Sequence, residues 1–345
     1  MTEYARVENL WTGDSWVRDA LIALDGSVRP ATAAEAAQAE DAGLIAGTLL
    51  PPVTDCHVHL GLSDFADRGA GSLGRMLDLG WDVKSLAGIV EHGRRAWAAT
   101  EVLVAGTFLT AVGGYPSTRP WAPPGSATEI ADVAGARAAV AALGAVGAVV
   151  AKVALNSVAG PVLTDELLDA VVVAAHDHDL PVVAHVEGPG QAVRAWRAGV
   201  DAFAHTPWEQ LSTDDIAEMA ETMIWISTVD MHGRGHYGSD YGVAMENLTR
   251  FAAHGGRVAY GTDLGNGVER AGLLAREVRA LGDAGLSGHR LLGALTGGGL
   301  LPRWGATANL LDLPDLQSYQ LTPAGLIEVL AASRPVTAAQ LARSL

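Results

Sequence analysis

From residue 51 onward, the sequence alternates short strand patterns with amphipathic helix patterns, and this alternation restricts the possible folds more than any other feature. Between residues 147 and 263, buried runs of β-branched and small apolar residues recur about every 20 to 40 residues. Strands separated by helices pair in parallel, because each helix returns the chain to the same end of the sheet. The strand patterns lie at 51–60, 81–84, 102–109, 149–154, 181–186, 200–205, 223–228 and 258–263.

Eight parallel strands joined by helices close into a (β/α)8 TIM barrel, for which about 250 residues is the usual size. We therefore predict an α/β fold with a TIM barrel over residues 51–304. Residues 1–50 lack this rhythm, and their short alternating segments and Gly-containing turns predict a β-rich segment. The Ala- and Glu-rich piece at 31–43 is compatible with either a short helix or a loop.

The charge balance of the chain excludes whole classes of partner. Its 345 residues include 23 basic and 39 acidic side chains, a net charge of −16. Nucleic acids and anionic membrane surfaces require a basic face, so we expect neither as a partner. The composition leaves open whether the chain forms a homo-oligomer. The single cysteine, Cys56, allows no intrachain disulfide, and the charged N-terminus lacks an export signal, so a cytoplasmic location is expected.

Two histidines, His57 and His59, lie in the first strand pattern. Side chains alternate between the faces of a strand, so both imidazoles point to one side while Cys56 and Val58 point to the other. Such a pair forms half of a site for Zn²⁺ or a similar ion without distorting the backbone. A half-buried strand that happens to carry two histidines explains the pair equally well, so ligands elsewhere in the chain must decide between these interpretations.

Further candidate ligands follow at the ends of later strand patterns. His185 and His205 lie near the ends of the fifth and sixth patterns, and Asp263 ends the last one. Because the carboxyl ends of barrel strands carry the active site, these side chains are predicted to meet His57 and His59. Taken singly, each histidine could be hydrogen-bonded in the core and Asp263 could cap a helix. Taken together, they favour a metal site.

Lys152 places a cationic group inside the apolar fourth strand pattern. A buried ammonium is costly unless it is neutralised or paired, and an ion pair with an acid such as Glu187 is one solution. A neutral amine can also react with carbon dioxide to form a carbamate, whose two oxygens would bridge two metal ions. Both interpretations of Lys152 remain open at the level of the sequence.

Taken together, these motifs resemble the amidohydrolase superfamily of metal-dependent hydrolases, in the branch of prolidase-like and imidazolonepropionase-like enzymes. The similarity extends over most of the predicted barrel, through the motifs at 50–60, 80–84, 151–153, 184–185, 204–206 and 261–263. The resemblance implies two divalent metal ions, with zinc expected. The implied ligands are His57, His59 and Asp263 for one ion, His185 and His205 for the other, and carboxylated Lys152 between them.

The resemblance also predicts the organisation of the two ends of the chain. Members of the superfamily return at their C-terminus to a small β-rich domain, so residues 1–50 and 305–345 are expected to form a small sandwich-like domain beside the barrel. The segment 304–313 retains only a weak form of the usual motif, which allows helices at the end of this domain. Residues 186–188 depart as well, since many relatives carry a second histidine in this segment.

The activity that the resemblance implies is hydrolysis of a C–N amide bond in a small-molecule substrate, such as a peptide-like compound, an N-acyl amino acid or a cyclic amide. A hydroxide bridging the two ions is expected to attack the carbonyl, with Asp263 as general acid and base. The alternatives are hydrolysis of a lactone, cyclic amidine or phosphoester at the same site, and a metal-binding barrel without catalysis. Arg119 or Arg234 is a candidate to bind a substrate carboxylate. The full set of candidate substrate contacts in the loops is Tyr115, Arg119, Trp208, His232, Arg234 and Tyr237.

Overall fold

The computed structural model describes residues 3–37, 39, 42–63, 69–97, 99–267, 270–313, 316 and 321–345. The strands are β1 (Glu3–Trp11), β2 (Trp16–Leu24), β3 (Val28–Pro30), β4 (Gly43–Leu50), β5 (Thr54–Val58), β6 (Arg75–Asp78), β7 (Glu101–Val104), β8 (Phe108–Ala111), β9 (Ala127–Ile130), β10 (Ala151–Asn156), β11 (Val182–Glu187), β12 (Ala202–Phe203), β13 (Ile224–Ile226), β14 (Arg257–Ala259), β15 (Thr307–Leu311) and β16 (Arg334–Thr337). The helices are α1 (Ala33–Ala36), α2 (Val83–Ala96), α3 (Val133–Ala145), α4 (Asp165–His176), α5 (Gln191–Arg197), α6 (Thr213–Thr222), α7 (Ser239–Ala253), α8 (Ala275–Asp283), α9 (Gly288–Leu295), α10 (Pro323–Ala332) and α11 (Ala338–Ala342). Short 3₁₀ helices lie at Leu60–Leu62 and Val229–His232.

Two parallel sheets form the centre of the fold. One has seven strands in the order β14-β13-β12-β11-β10-β8-β9, and the other has three in the order β5-β6-β7. Backbone hydrogen bonds also join the sheets: Cys56 N donates to Tyr260 O, and Val149 N donates to Val104 O. Helices connect most of the strands in sequence. The predicted α/β fold with parallel strands is therefore confirmed.

Several helices begin where side chains in the sequence can cap them. The Thr164 hydroxyl accepts a hydrogen bond from Leu167 N at the start of α4, and the Ser212 hydroxyl accepts one from Asp215 N at the start of α6. Such caps satisfy backbone N–H groups that have no partner within the helix. The apolar stripe of α4 is then free to pack on the sheet, where Leu168 and its neighbours are buried.

Two of the predicted strands are wrong, both between the first and fourth strand patterns. Residues 81–84 are not a strand, because the Asp82 carboxylate accepts hydrogen bonds from Lys84 N and Ser85 N and thereby starts α2. The strand of this region is β6 instead. The pattern at 102–109 is divided into β7 and β8, with Gly106 at a positive φ of 82° between them. β9, which pairs with β8, has no counterpart in the prediction.

The two ends of the chain share a third sheet, with the strand order β16-β15-β4-β1-β2-β3. β4 pairs in parallel with β1 and antiparallel with β15, so the N- and C-terminal segments meet as expected. The helices α10 and α11 confirm that the end of the chain is partly helical. Within the 31–43 piece, α1 is helical, whereas residues 38, 40 and 41 lie outside the described residues. The apolar cluster of this sheet includes Leu10, Ile22, Leu49, Leu310 and Leu341.

The parallel strands rest on a tightly packed core. Trp225 of β13 stacks on Phe251 of α7, with 3.9 Å between ring centroids and 4° between ring planes, and both side chains are fully buried. Packing of this density restricts the strands, so side chains projecting from their ends are held in fixed positions. Within the described ranges, no helix has both the length and the apolar character needed to cross a bilayer.

Candidate metal centre

A cavity of about 320 Å³ lies at the carboxyl ends of the parallel strands. Its volume is within the range of small-molecule sites. His185 and Glu187 enter it from the end of β11, while Asp263 enters it from just beyond β14. The side chains that line it are His57, His59, Phe108, Tyr115, Trp121, Lys152, His185, Glu187, His205, Trp208, Met231, His232, Asp240, Asp263 and Asn266. The six predicted metal ligands are thus brought together in one cavity.

His57, His59 and Asp263 form the most convergent group in this cavity. The Nε2 atoms of the two histidines are 3.1 Å apart, and they lie 3.4 and 3.6 Å from Asp263 Oδ1. One ligand atom from each residue falls within 4.8 Å of the other two, and all three residues are buried. A single cation could therefore contact all three residues. An isolated strand with two histidines would not supply the third ligand.

Backbone carbonyls fix the orientation of the first two imidazoles. His57 Nδ1 is 2.7 Å from Ala204 O and His59 Nδ1 is 3.2 Å from Gly80 O, so each Nδ1 carries the proton and donates it. Each Nε2 then presents its lone pair to the cavity, the arrangement of a metal-binding histidine. Burial, with the nearby Lys152, lowers the pKa of His59 to about 3 and that of His57 well below its usual value. Both rings are therefore neutral at physiological pH.

Asp263 is held in an unusual backbone conformation. Its φ is 56°, in the left-handed region that non-glycine residues rarely adopt and that is often found at functional sites. Asn266 Nδ2 donates hydrogen bonds to both carboxylate oxygens, at 3.0 and 3.3 Å. Burial raises the pKa of Asp263 to about 7, although Asn266 and Lys152 act in the opposite direction. The carboxyl group can therefore gain or lose a proton near neutral pH.

A buried acid behind the cavity, Asp55, ties the first strand to the segment before Asp263. Its carboxylate accepts hydrogen bonds from Thr262 Oγ1 at 2.6 Å and from Thr262 N and His57 N at 3.1 Å each. Burial raises the pKa of Asp55 to about 7. These bonds connect the backbones on which His57 and Asp263 stand, so the distance between the two side chains does not depend on flexible loops.

His185 and His205 are less convergent than the first pair. Their ring centroids are 5.0 Å apart, and the His205 ring is 4.5 Å from that of His57. His205 Nδ1 contacts Thr228 Oγ1 at 2.8 Å, whereas His185 Nε2 lies 3.2 Å from Glu187 Oε2. Burial lowers the pKa of both histidines. The two rings are neutral and close, but one ring nitrogen of His185 is turned toward a carboxylate.

Lys152 is the least satisfied polar group of the cavity. The residue is 1% exposed, and its Nζ has no hydrogen-bond partner within the described residues. No ion pair between Lys152 and Glu187 lies within the described residues, where Glu187 contacts His185 instead. Burial lowers the pKa of Lys152 to about 7, and only Asp263 acts in the opposite direction. A buried amine without a partner is a costly arrangement that a further reaction or ligand would relieve.

The donor set fits divalent metal ions. Four neutral imidazoles and a buried carboxylate are the ligand types that Zn²⁺ and related ions prefer. The unpartnered amine of Lys152 stands among them with a pKa low enough for a neutral fraction at pH 7. The cavity therefore has the chemistry of a metal centre, with the tightest group at His57, His59 and Asp263.

Three of the six predicted substrate contacts line the cavity and three do not. Tyr115, Trp208 and His232 line the cavity. Arg119 lies behind Tyr115, with its guanidinium carbon 5.7 Å from the ring centroid and Nη2 donating to Ala159 O. The other two do not line the cavity either: Arg234 donates to Asn266 O, and Tyr237 Oη donates to Asp230 at 2.7 Å.

Several residues that line the cavity are not predicted from the sequence. Phe108 and Asp240 come from separate parts of the chain, and nothing local marks them as neighbours of the ligands, whereas Met231 directly precedes the predicted contact His232. Asn266 had a recognisable signal, because an Asn three residues after a candidate catalytic Asp can hydrogen-bond back to it. The backbone N–H of Asn266 does contact Asp263 O, at 3.0 Å.

Neither a protein-family model nor a curated protein matches the chain. Solved structures do match it. A Xaa-Pro dipeptidase with bound methionine in the active site gives a TM-score of 0.69 at 18% identity, over 99% of each chain. The A. niger ochratoxinase gives 0.70 at 17% identity, over 98% of this chain and 94% of its own. Phenylurea hydrolase B gives 0.67 at 12% identity, over 98% and 96%.

At such low identities, the comparison concerns the fold, and it extends over nearly the whole length of these chains. Other matching structures are named as amidohydrolases and prolidases. The predicted resemblance is therefore confirmed at the level of the fold: this chain shares the fold of solved structures named amidohydrolase and prolidase.

Proposed function

We propose that this chain is a metal-dependent enzyme that hydrolyses a C–N amide bond in a small-molecule substrate. The observation that carries the proposal is the cavity in which four neutral histidines, Asp263 and the unpartnered Lys152 meet. The fold is shared with structures named dipeptidase, ochratoxinase and phenylurea hydrolase, which supports an amide or related bond over other targets.

The same proposal includes the architecture around the cavity. In this proposal, the two parallel sheets together form one closed (β/α)8 barrel over residues 51–304. Residues 1–50 and 305–345 form a small β-rich domain beside it. Hydrogen bonds from Cys56 N to Tyr260 O and from Val149 N to Val104 O support closure of the barrel, since they join the sheets at two separate places. The shared sheet of the terminal segments supports the small domain.

Two divalent ions, with Zn²⁺ the best match to the ligands, would be held by these side chains. His57, His59 and Asp263 would hold one ion and His185 and His205 the other, with Lys152 between them as a carbamate. The buried, unpartnered amine supports this last step, because its neutral form can add carbon dioxide and release a proton. When bound, such ions supply polarisation of the scissile carbonyl and an acidified water.

Asp263 is the proposed proton carrier. Its carboxyl group is buried 3.4 and 3.6 Å from the Nε2 atoms of His57 and His59, so it would stand beside the attacking water, take a proton from it and return that proton to the leaving nitrogen. The amide of Asn266 orients the carboxylate from behind. Tyr115 is the proposed donor to the substrate carbonyl: burial raises its pKa to about 12, so the phenol remains protonated and can stabilise the charge that develops on oxygen.

The test compares chelated and Zn²⁺-loaded protein on a panel of dipeptides, N-acyl amino acids, cyclic amides, lactones and phosphoesters. We expect hydrolysis of at least one amide, lost on chelation and restored by the metal. If only lactones or only phosphoesters were hydrolysed, the bond that the enzyme cleaves would be an ester and not an amide. Metal analysis accompanies the assay, because two bound ions without turnover of any compound would favour a non-catalytic binding protein.

A further inference from the structure

The charged residues at the outer part of the cavity differ from those expected of a carboxylate-binding site. Glu187 and Asp240 line it, whereas no arginine is among its lining residues within the described part of the chain. Arg119 and Arg234, the residues suited to a carboxylate, are directed elsewhere, to Ala159 O and Asn266 O. Lys152 is the cationic side chain of the lining, and it is buried at the base among the predicted metal ligands.

Glu187 is fixed in position at the end of β11. Its carboxylate accepts a hydrogen bond from Asn156 Nδ2, and 29% of its side chain is exposed toward solvent. Its Oε2 atom also lies 3.2 Å from His185 Nε2, so two neighbouring side chains hold the carboxylate in place. Among the described residues, no lysine or arginine lies within ion-pair distance of Glu187, and Arg119 acts on its charge only from a longer range. The carboxylate lines the cavity and can contact a ligand there.

Asp240 brings a second carboxylate to the same place from the first turn of α7. Both acids act on His232, whose pKa they raise while burial lowers it by more. His232 is therefore mostly neutral at pH 7 and does not offset the two negative charges. The Asp240 carboxylate accepts a hydrogen bond from Ser239 Oγ at 3.3 Å and lines the cavity.

Aromatic side chains complete this region of the cavity. Trp208 lies 6.1 Å from the His185 ring and 4.8 Å from the His232 ring, and Tyr115 and Trp121 lie 6.0 Å apart. Aromatic faces beside carboxylates form the environment that binds organic ammonium groups, through cation–π attraction and charge-assisted hydrogen bonds. An anionic group placed here would instead face two carboxylates without a guanidinium to bind it.

We infer that the site selects amides that carry a protonated amine on the part of the substrate facing Glu187 and Asp240, and that it disfavours substrates with a carboxylate there. Glu187 and Asp240 determine this specificity, and the aromatic side chains contact the carbon skeleton next to the amine. The inference rests on the proposed amide hydrolysis, whose substrate class it narrows.

The experiment uses three 4-nitroanilides of similar length, made from 6-aminohexanoic acid, heptanoic acid and one carboxyl of adipic acid. With Zn²⁺-loaded protein at pH 7.5, we expect kcat/KM to be highest for the cationic compound and lowest for the anionic one, by on the order of tenfold per step. Glu187→Gln and Asp240→Asn should each reduce the preference for the cation. Glu246→Gln removes a charge from the exposed side of α7, where the side chain is 58% exposed, and should leave the preference unchanged.

A binding measurement separates this inference from the proposed function. Isothermal titration of the same protein with benzylamine and with benzoate should show tighter binding of the amine, weakened on the order of tenfold by Glu187→Gln. Preference for benzylamine without hydrolysis of any anilide would contradict the proposed function and leave the specificity standing. Equal or tighter binding of benzoate would overturn the inference, and so would loss of bound metal in Glu187→Gln, because Glu187 would then be a metal ligand.

Discussion

The two halves of the candidate metal centre are built differently. His57 and His59 are oriented by backbone carbonyls, and their Nε2 atoms meet Asp263 within 3.6 Å. His205 is oriented by a side chain, Thr228, and His185 contacts Glu187. Lys152 between the halves has no partner in the described structure.

This difference indicates which half the fold itself organises. Backbone carbonyls near strand ends are positioned by the sheet, so the orientation of His57 and His59 follows from the fold itself. In the half with His205, the orienting partner is the side-chain hydroxyl of Thr228 instead of a backbone carbonyl, and under the proposed function the carbamate of Lys152 would complete this half. We therefore expect metal affinity and mutational sensitivity to differ between the halves, and the following predictions test that difference.

Asp263→Asn should have the largest effect. The amide retains an oxygen for a metal but cannot carry a proton, so kcat should fall by about 10²- to 10⁴-fold while much of the metal remains bound. Steady-state kinetics with metal analysis checks this result. Asp312→Asn, at a side chain that is 86% exposed, is the matched control. Near-normal turnover in Asp263→Asn would remove this residue from the mechanism.

Lys152→Met should separate the halves. Without an amine no carbamate can form, so the ion at His185 and His205 should be lost or bound more than about 100-fold more weakly. This loss exceeds the about 10- to 100-fold weakening that follows when a residue that only orients a ligand is changed. The ion at His57, His59 and Asp263 should remain. Metal titration with and without bicarbonate measures both ions. Lys84→Met changes the only other lysine of the chain, an exposed one, and serves as control. Retention of two tightly bound ions in Lys152→Met would contradict a bridging role.

The contrast between the halves also shows what sequence can predict. Alternation along a strand suffices to bring His57 and His59 to one side, and the order of strands suffices to bring Asp263 toward them, because both follow from local periodicity and topology. At residues 81–84 the sequence predicts a strand, but Asp82 is also a residue type that caps helices, and in the structure it starts α2.

Other features depend on tertiary structure and have no local signal. Phe108 and Asp240 reach the cavity only because separate parts of the chain pack together. The direction of a long side chain is equally inaccessible: Arg119 and Arg234 lie in the predicted loops, but both donate to backbone carbonyls instead of entering the cavity. The ligands at strand ends are therefore predictable from sequence, whereas loop side chains are predictable only in part: Tyr115, Trp208 and His232 line the cavity, but the two arginines do not.

Thr228→Val tests the dependence of His205 on a side chain. Valine has nearly the same shape but cannot hydrogen-bond His205 Nδ1, so the ring loses its orienting partner at 2.8 Å. Metal affinity should fall by about 10- to 100-fold at the second ion only. Competition with a chromogenic chelator measures this change. Thr249→Val removes a hydroxyl from the surface of α7 and should change neither ion. Equal weakening of both ions would contradict the division into two halves.

The smallest effect is expected at Glu277, which supports the segment following Thr228. This buried carboxylate accepts hydrogen bonds from Val229 N and Asp230 N, at 3.0 and 2.8 Å. Burial raises its pKa from 4.5 to about 7, so the folded chain binds more protons than the unfolded chain between these pH values. The contribution of Glu277 to stability therefore decreases as pH rises through this window, by about 3 kcal/mol.

Glu277→Gln should remove this pH dependence, although loss of one hydrogen bond will lower stability at every pH. Urea unfolding of metal-free protein at pH 5 and pH 8 measures the change, with Glu246→Gln as the exposed control. A difference between the two pH values that stays the same in Glu277→Gln would show that this carboxyl is already ionised at pH 5. The segment Val229–His232 would then be held by a Glu277 carboxylate that is charged at both pH values. In that case the position of Thr228, and with it the orientation of His205, would not change between pH 5 and pH 8.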